Sequence, residues 1–150
     1  MSARIAKILL IDTAADKIFQ ALTTEPGITG WWTRTATIGQ GTAPTLEVRF
    51  RRGEVIARMD VEQEAPRRVR WKCTLGQGLS EWTGTTITFD LVARDRRSTE
   101  LRFSHDGWGD ETEWFEHCSD GWDYFLDSLK RYVENGEGNP DAGGEVSAAA

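Results

Sequence analysis

Two histidines and two cysteines, with 24 carboxylates, are the side chains of this 150-residue chain best suited to catalysis or metal binding. His105 and Asp106 close an alternating segment next to Trp108, and the phase of Leu101 and Phe103 turns His105 inward. A histidine in an apolar interior can serve as a general base, as a hydrogen-bonder of a ligand, or as a satisfied structural residue. His117 follows beside Glu116 and Cys118, at the edge of a solvated helical face, and no Cys or carboxylate completes a metal-ligand spacing with either ring. Cys73 and Cys118 fall in apolar-periodic segments outside any metal or redox spacing, so both are expected as buried small hydrophobes. Ser80 and Ser104 belong to no nucleophile elbow, and no glycine-rich phosphate loop opens a helix. Asp60, Glu62 and Glu64 lie on the polar phase of their strand. The sequence therefore assigns no catalytic residue, no metal and no cofactor.

What stands out instead is aromatic. The chain holds seven tryptophans: Trp31, Trp32, Trp71, Trp82, Trp108, Trp114 and Trp122. Each brings a large apolar surface and one N–H donor. Trp71 and Trp122 sit on inward phases of a strand and a helix.

These residues need a scaffold, and composition bounds it. Hydrophobic residues at 39% and charged residues at 28% are ordinary for one globular domain with its own core. No apolar run approaches the ~20 residues of a membrane helix. The stretch Ile8 to Ile11 is too short for a signal-peptide core, so the expected location is cytoplasmic. A net charge of −6 argues against nucleic acid as a partner. The charge is uneven: eight basic residues against four acidic ones from Arg49 to Lys72, and twelve acidic ones against Lys130 and Arg131 from Asp106 to Glu145. Each face is either simply solvated or docks a partner of opposite charge.

Along the chain, Ile5 to Ile11 is largely apolar in both phases, which predicts a first strand buried on both sides. Thr13-Ala14-Ala15-Asp16 has the form of a capping box, with Thr13 as N-cap of a helix that carries Ile18, Phe19 and Leu22 and ends near Thr23. Thr24 caps a second helical turn with Pro26 in its first turn. Gly27 and Gly30 are read as bracketing a tight turn before Trp31 and Trp32. Period-two alternation follows at Leu46–Phe50, Val55–Val61, Val69–Cys73, Ile87–Leu91 and Leu101–Phe103, apolar on one face and polar on the other. From Asp110 the period changes: Trp114, Cys118, Trp122, Phe125, Leu129, Tyr132 and Val133 recur at helical spacing, and Gly136 is the expected stop. Such a helix, about 37 Å long at ~1.5 Å per residue, crosses a whole sheet. The expected domain is 1–136, and 137–150 is expected to be a disordered tail.

The order strand, two short helices, six strands, long helix resembles the START-like (SRPBCC, Bet v 1-type) superfamily with its α+β helix-grip fold. Ile18-Phe19-x-Ala21-Leu22-Thr23, Pro26-Gly27, Trp31-Trp32 and Gly121-Trp122-x-x-Phe125-Leu126-x-Ser128-Leu129-Lys130 resemble the branch of the C-terminal domain of the activator of heat-shock protein 90 ATPase. The resemblance implies a cavity between a curved antiparallel sheet and the long helix, often used for apolar small molecules. Its wall is expected from Phe50, Met59, Trp71, Phe89, Phe103, His105, Trp122 and Phe125, with Trp31, Trp32 and Trp108 near the entrance. The implied function is binding of an apolar or amphipathic small molecule there. The alternatives are a co-chaperone-like module with a chaperone or other protein as partner, and a cyclase- or hydrolase-like enzyme using His105. A monomer or a homodimer is consistent with this reading.

Overall fold

The computed structural model describes residues 3–39, 44–50, 55–77, 82–108 and 113–140. Strand β1 (Ala3–Ile11) leads into helices α1 (Ala15–Thr23) and α2 (Glu25–Trp31). Strands β2 (Thr35–Ile38), β3 (Thr45–Phe50), β4 (Val55–Glu64), β5 (Arg68–Gln77), β6 (Thr86–Asp95) and β7 (Ser98–Trp108) follow, and helix α3 (Glu113–Asn135) comes last. The strands form one antiparallel sheet in the order β1-β7-β6-β5-β4-β3-β2. The expected α+β helix-grip architecture is present. Hairpins place consecutive strands side by side, and the first strand returns to pair with the last, Ile5 opposite His105 and Ile11 opposite Thr99.

The alternation read from β3 to β7 selects the buried face. Leu46, Val48, Ala57, Met59, Val69, Trp71, Ile87, Phe89, Leu101 and Phe103 are all at most 2% exposed. Helix α3 closes that face with Cys118, Trp122, Leu126 and Leu129, spaced three or four residues apart, and α1 and α2 add Ile18, Leu22 and Ile28. Gly136 ends α3 with φ +87°, and its N–H bonds Tyr132 O at 2.8 Å.

Three local readings need correction. Strand β1 is an edge strand with one open face: Ile8 and Leu10 are 69% and 60% exposed, while Ile5 and Ile11 are buried. Helix α1 has Ala14, not Thr13, as N-cap and no side-chain cap bond. Thr13 is buried, and its carbonyl accepts from Thr99 Oγ1 at 2.8 Å. Gly27 and Gly30 lie inside α2 rather than around a turn. A Cβ on Gly27 would stand 2.6 Å from Ala21 Cα and one on Gly30 2.3 Å from the Tyr132 ring, so both glycines permit close packing. The Thr24 cap does form, with its hydroxyl accepting from Gly27 N at 3.1 Å. Strand β2 is too short for alternation to mark. After α3, residues 137–140 return along the helix, and Asn139 N donates to Ser128 Oγ at 2.6 Å; residues 141–150 lie outside the described residues.

Candidate functional site

The interior between sheet and α3 is built around stacked indoles. Trp32, at the C-terminus of α2, is the hub. Its ring lies 5.6 Å from Trp31, 5.1 Å from Trp71, 6.5 Å from Trp82 and 5.4 Å from Trp122. The first three pairs are within 20° of parallel, and Trp82 stacks in turn on Trp122 at 5.9 Å. Phe89 meets Trp71 edge-on at 4.8 Å, and Phe103 tilts against Trp122 at 4.7 Å. Offset stacks and edge contacts of this kind suit the aromatic quadrupole.

Of the sequence-selected residues, Trp31, Trp32, Met59, Trp71, Phe89, Phe103, His105 and Trp122 are buried together. Trp31 and Trp32, expected near an entrance, are instead central, at 0% and 1% exposure. Phe50 and Phe125 are half-buried with rings 6.1 Å apart. The side chain of Trp108 lies outside the described residues, as do those of Trp114 and His117. Trp82 and Thr85 complete the site but were not selected from sequence. Both sit in the connection before β6, where no periodicity marks a side chain as inward.

His105 joins helix α3 to the connection before β6 through a run of hydrogen bonds. Trp122 Nε1 donates to His105 Nδ1 at 3.1 Å. An indole N–H can only donate, so the ring proton of neutral His105 sits on Nε2, which faces Thr85 Oγ1 at 2.8 Å. Thr85 passes its own proton to Trp82 O at 2.5 Å. Burial pushes His105 down to about 3, so the ring is neutral. With its Nδ1 lone pair engaged by Trp122, His105 holds α3 to β7. Burial also raises the Cys73 thiol to about 11, consistent with an inert small hydrophobe. Trp31 Nε1 donates to Ala21 O at 2.8 Å and Trp82 Nε1 to Cys118 Sγ at 3.4 Å. Trp71 is different. Its Nε1 is fully buried and has no hydrogen-bond partner among the described residues.

Arg58, Arg68 and Arg70 of the basic run lie on the outer sheet face and are paired, while Arg51 and Arg52 lie outside the described residues. Arg58 bonds Glu47 at 2.8 Å, Arg70 lies 3.6 Å from Glu62, and Arg68 pairs with Asp90 and Glu64. A surface cleft of about 360 Å³ runs over Glu62, Arg70, Lys72, Thr86, Thr88 and Asp106. Among the described residues no group of three His, Cys, Asp or Glu could hold a metal ion, and no helix is long and apolar enough to cross a membrane.

This architecture and its motifs can be set beside known proteins. The family model described as activator of Hsp90 ATPase homolog 1-like protein matches residues 12–134. The chain belongs to this family. A solution structure of the Aha1 dimer from Colwellia psychrerythraea is 34% identical, with 91% of this chain and 99% of that chain covered at a TM-score of 0.77. An HSP90 activator from Plasmodium falciparum shares the fold at 17% identity, covering 89% and 96% of the two chains at a TM-score of 0.67. Norcoclaurine synthase from Thalictrum flavum, solved with dopamine and hydroxybenzaldehyde, does so at 14% identity, 93% and 90% coverage and a TM-score of 0.64. No curated protein matches the chain. The family and the fold are those that the resemblance read from the sequence implied.

Proposed function

We propose that this chain binds an apolar or amphipathic small molecule between the sheet and α3, with an acceptor atom of the ligand meeting Trp71 Nε1–H. The observation that carries this reading is that donor, buried and unpartnered in an interior where Trp31, Trp82 and Trp122 have their N–H groups satisfied. A buried N–H without an acceptor costs about 1–3 kcal/mol, which a ligand oxygen returns. Apolar burial against the aromatic walls adds ~25 cal/mol per Å², less the cost of ordering. The rings are buried, so entry requires them to part. Half-buried Phe50 and Phe125 form the gate nearest solvent.

The test is intrinsic tryptophan fluorescence titrated with fatty acids, flavonoids, sterols and polyketide-like aromatics. Saturable quenching by one class, weakened in Phe89→Ala, supports the reading; a flat response across the panel removes it.

A second reading is favoured by the family match and the 34% identical Aha1 structure: a co-chaperone-like module whose surface binds a chaperone. In this reading the aromatic interior serves as core and the outer sheet face is the contact. Purified protein added to a heat-shock protein 90 chaperone should change its ATPase rate, and charge reversal at Arg67, Arg68 and Arg70 should cancel the change. An unaltered ATPase rate ends this reading.

A further inference from the structure

The open face of β1 carries a stripe whose order is its own complement. Arg4, Ala6, Ile8, Leu10 and Asp12 alternate onto the outer side of the sheet and are all exposed. A cation opens the stripe, an anion closes it, and the apolar residues between include the two most exposed large hydrophobics described, Ile8 at 69% and Leu10 at 60%. Each such side chain left in water forgoes about 1.5–3 kcal/mol of burial, so a pair side by side on one strand asks for a cover.

We infer that this stripe is the contact between two copies of the chain, packed antiparallel about a two-fold axis at Ile8. In that arrangement each residue faces the one as far beyond Ile8 as it lies before it. Ile8 meets Ile8 of the second copy, Ala6 meets Leu10, and Arg4 meets Asp12, twice over by symmetry. The parallel arrangement sets Arg4 against Arg4 and Asp12 against Asp12, so the charges select the two-fold. Arg4 is held loosely enough to be shared: its present partner is Asp106 at 2.8 Å, with the two side chains 62% and 41% exposed.

The copies meet through side chains rather than by extending the ladder. On the free edge of β1, Lys130 Nζ already donates to Leu10 O at 2.8 Å, and Glu134 Oε2 accepts from Asp12 N at 2.7 Å. Helix α3 thus covers the backbone at that end, as edge strands are commonly blunted against open-ended pairing. The outer face of β1 remains free, and contact through it closes after two copies. Nine residues at about 3.3 Å each make a stripe ~30 Å long, at the small end of specific interfaces. The inference is independent of what the interior holds.

Sedimentation across the micromolar range tests it, with thermal melts confirming that each variant folds. Wild type should pass from monomer to dimer, and Ile8→Lys should stay monomeric. Arg4→Asp and Asp12→Arg should each weaken self-association at least about tenfold, the effect of ~1.4 kcal/mol. Mixed together, these two variants should form a heterodimer, because every facing charge is then opposite. Wild type monomeric at all concentrations, a dimer indifferent to Ile8→Lys, or no heterodimer in the mixture each overturns the inference.

Discussion

Replacing His105 by Gln should remove most of the pH dependence of stability between pH 6.5 and 4.5. The folded protein holds this ring neutral, with its protonation pushed from 6.5 down to about 3 by burial. The unfolded chain takes up a proton below pH 6.5 that the folded chain refuses. The sign follows: the stability held by neutral His105 is complete above pH 6.5 and is lost progressively as the pH falls toward 3. At pH 4.5 the loss amounts to about 2–3 kcal/mol, a sizeable part of a typical domain's 5–15 kcal/mol. The carboxylates do not obscure this window. Glu47, bonded by Arg58, and Glu100, bonded by Arg102 and Arg94, titrate below their ordinary value of 4.5, so their contribution is present above it and lost only at lower pH. Gln is a close mimic, since its amide can accept from Trp122 and donate to Thr85 without ionising. Urea unfolding at intervals from pH 7.5 to 4.5 gives both curves, and His117 is common to the two proteins. Wild type should lose about 2–3 kcal/mol more than His105→Gln across the window. Parallel curves would show that His105 is hydrated or already charged in the folded protein, and the Trp122–His105–Thr85 hydrogen bonds would then be wrong.

Three further outcomes follow from the packing. Gly27→Ala places a methyl 2.6 Å from Ala21 Cα and 2.8 Å from Gln20 O, so α1 and α2 must separate; a loss of about 1–3 kcal/mol is expected in thermal unfolding. Ser128→Ala removes the donor to Trp31 O at 2.7 Å and the acceptor of Asn139 N, and should cost about 1–3 kcal/mol in urea unfolding. Gly138→Ala sets a methyl 2.5 Å from Gly30 O and should release residues 137–140, seen as faster proteolysis after α3 while the global unfolding midpoint stays nearly unchanged.

Much of the fold was legible because its signals are local and repeated. One face of β3 to β7 is apolar at every second residue, and α3 keeps its three- and four-residue spacing from Cys118 to Leu129. β1 was misread because the hydrophobicity of Ile8 and Leu10 states that they avoid water, not what covers them. At α1, Thr13 and Asp16 supply a valid capping pattern, but the carbonyl of Thr13 is taken by Thr99 and the residue is drawn into the core. The aromatic interior was legible as a set, since strand phase turned Trp71, Phe89 and Phe103 inward. Its centre was not. Trp31 and Trp32 lie at the end of a short helix where no periodicity fixes depth, and Trp82 and Thr85 reach His105 from twenty or more residues away. The family motifs carried the architecture further than they could carry a ligand, because none of them marks Trp71 Nε1.

That atom also offers the most direct test of the proposed function. The seven indole N–H groups give separate signals in a nitrogen–proton correlation spectrum, and Trp71→Phe identifies the one that belongs to Trp71. On adding the small molecule that quenches the fluorescence, the Trp71 signal should move downfield as its N–H gains an acceptor, while those of Trp31 and Trp82 move less. Binding should weaken at least about tenfold in Trp71→Phe, the effect of ~1.4 kcal/mol. A Trp71 signal that stays in place while the molecule binds, or undiminished affinity in Trp71→Phe, would contradict the anchor and with it the interior site.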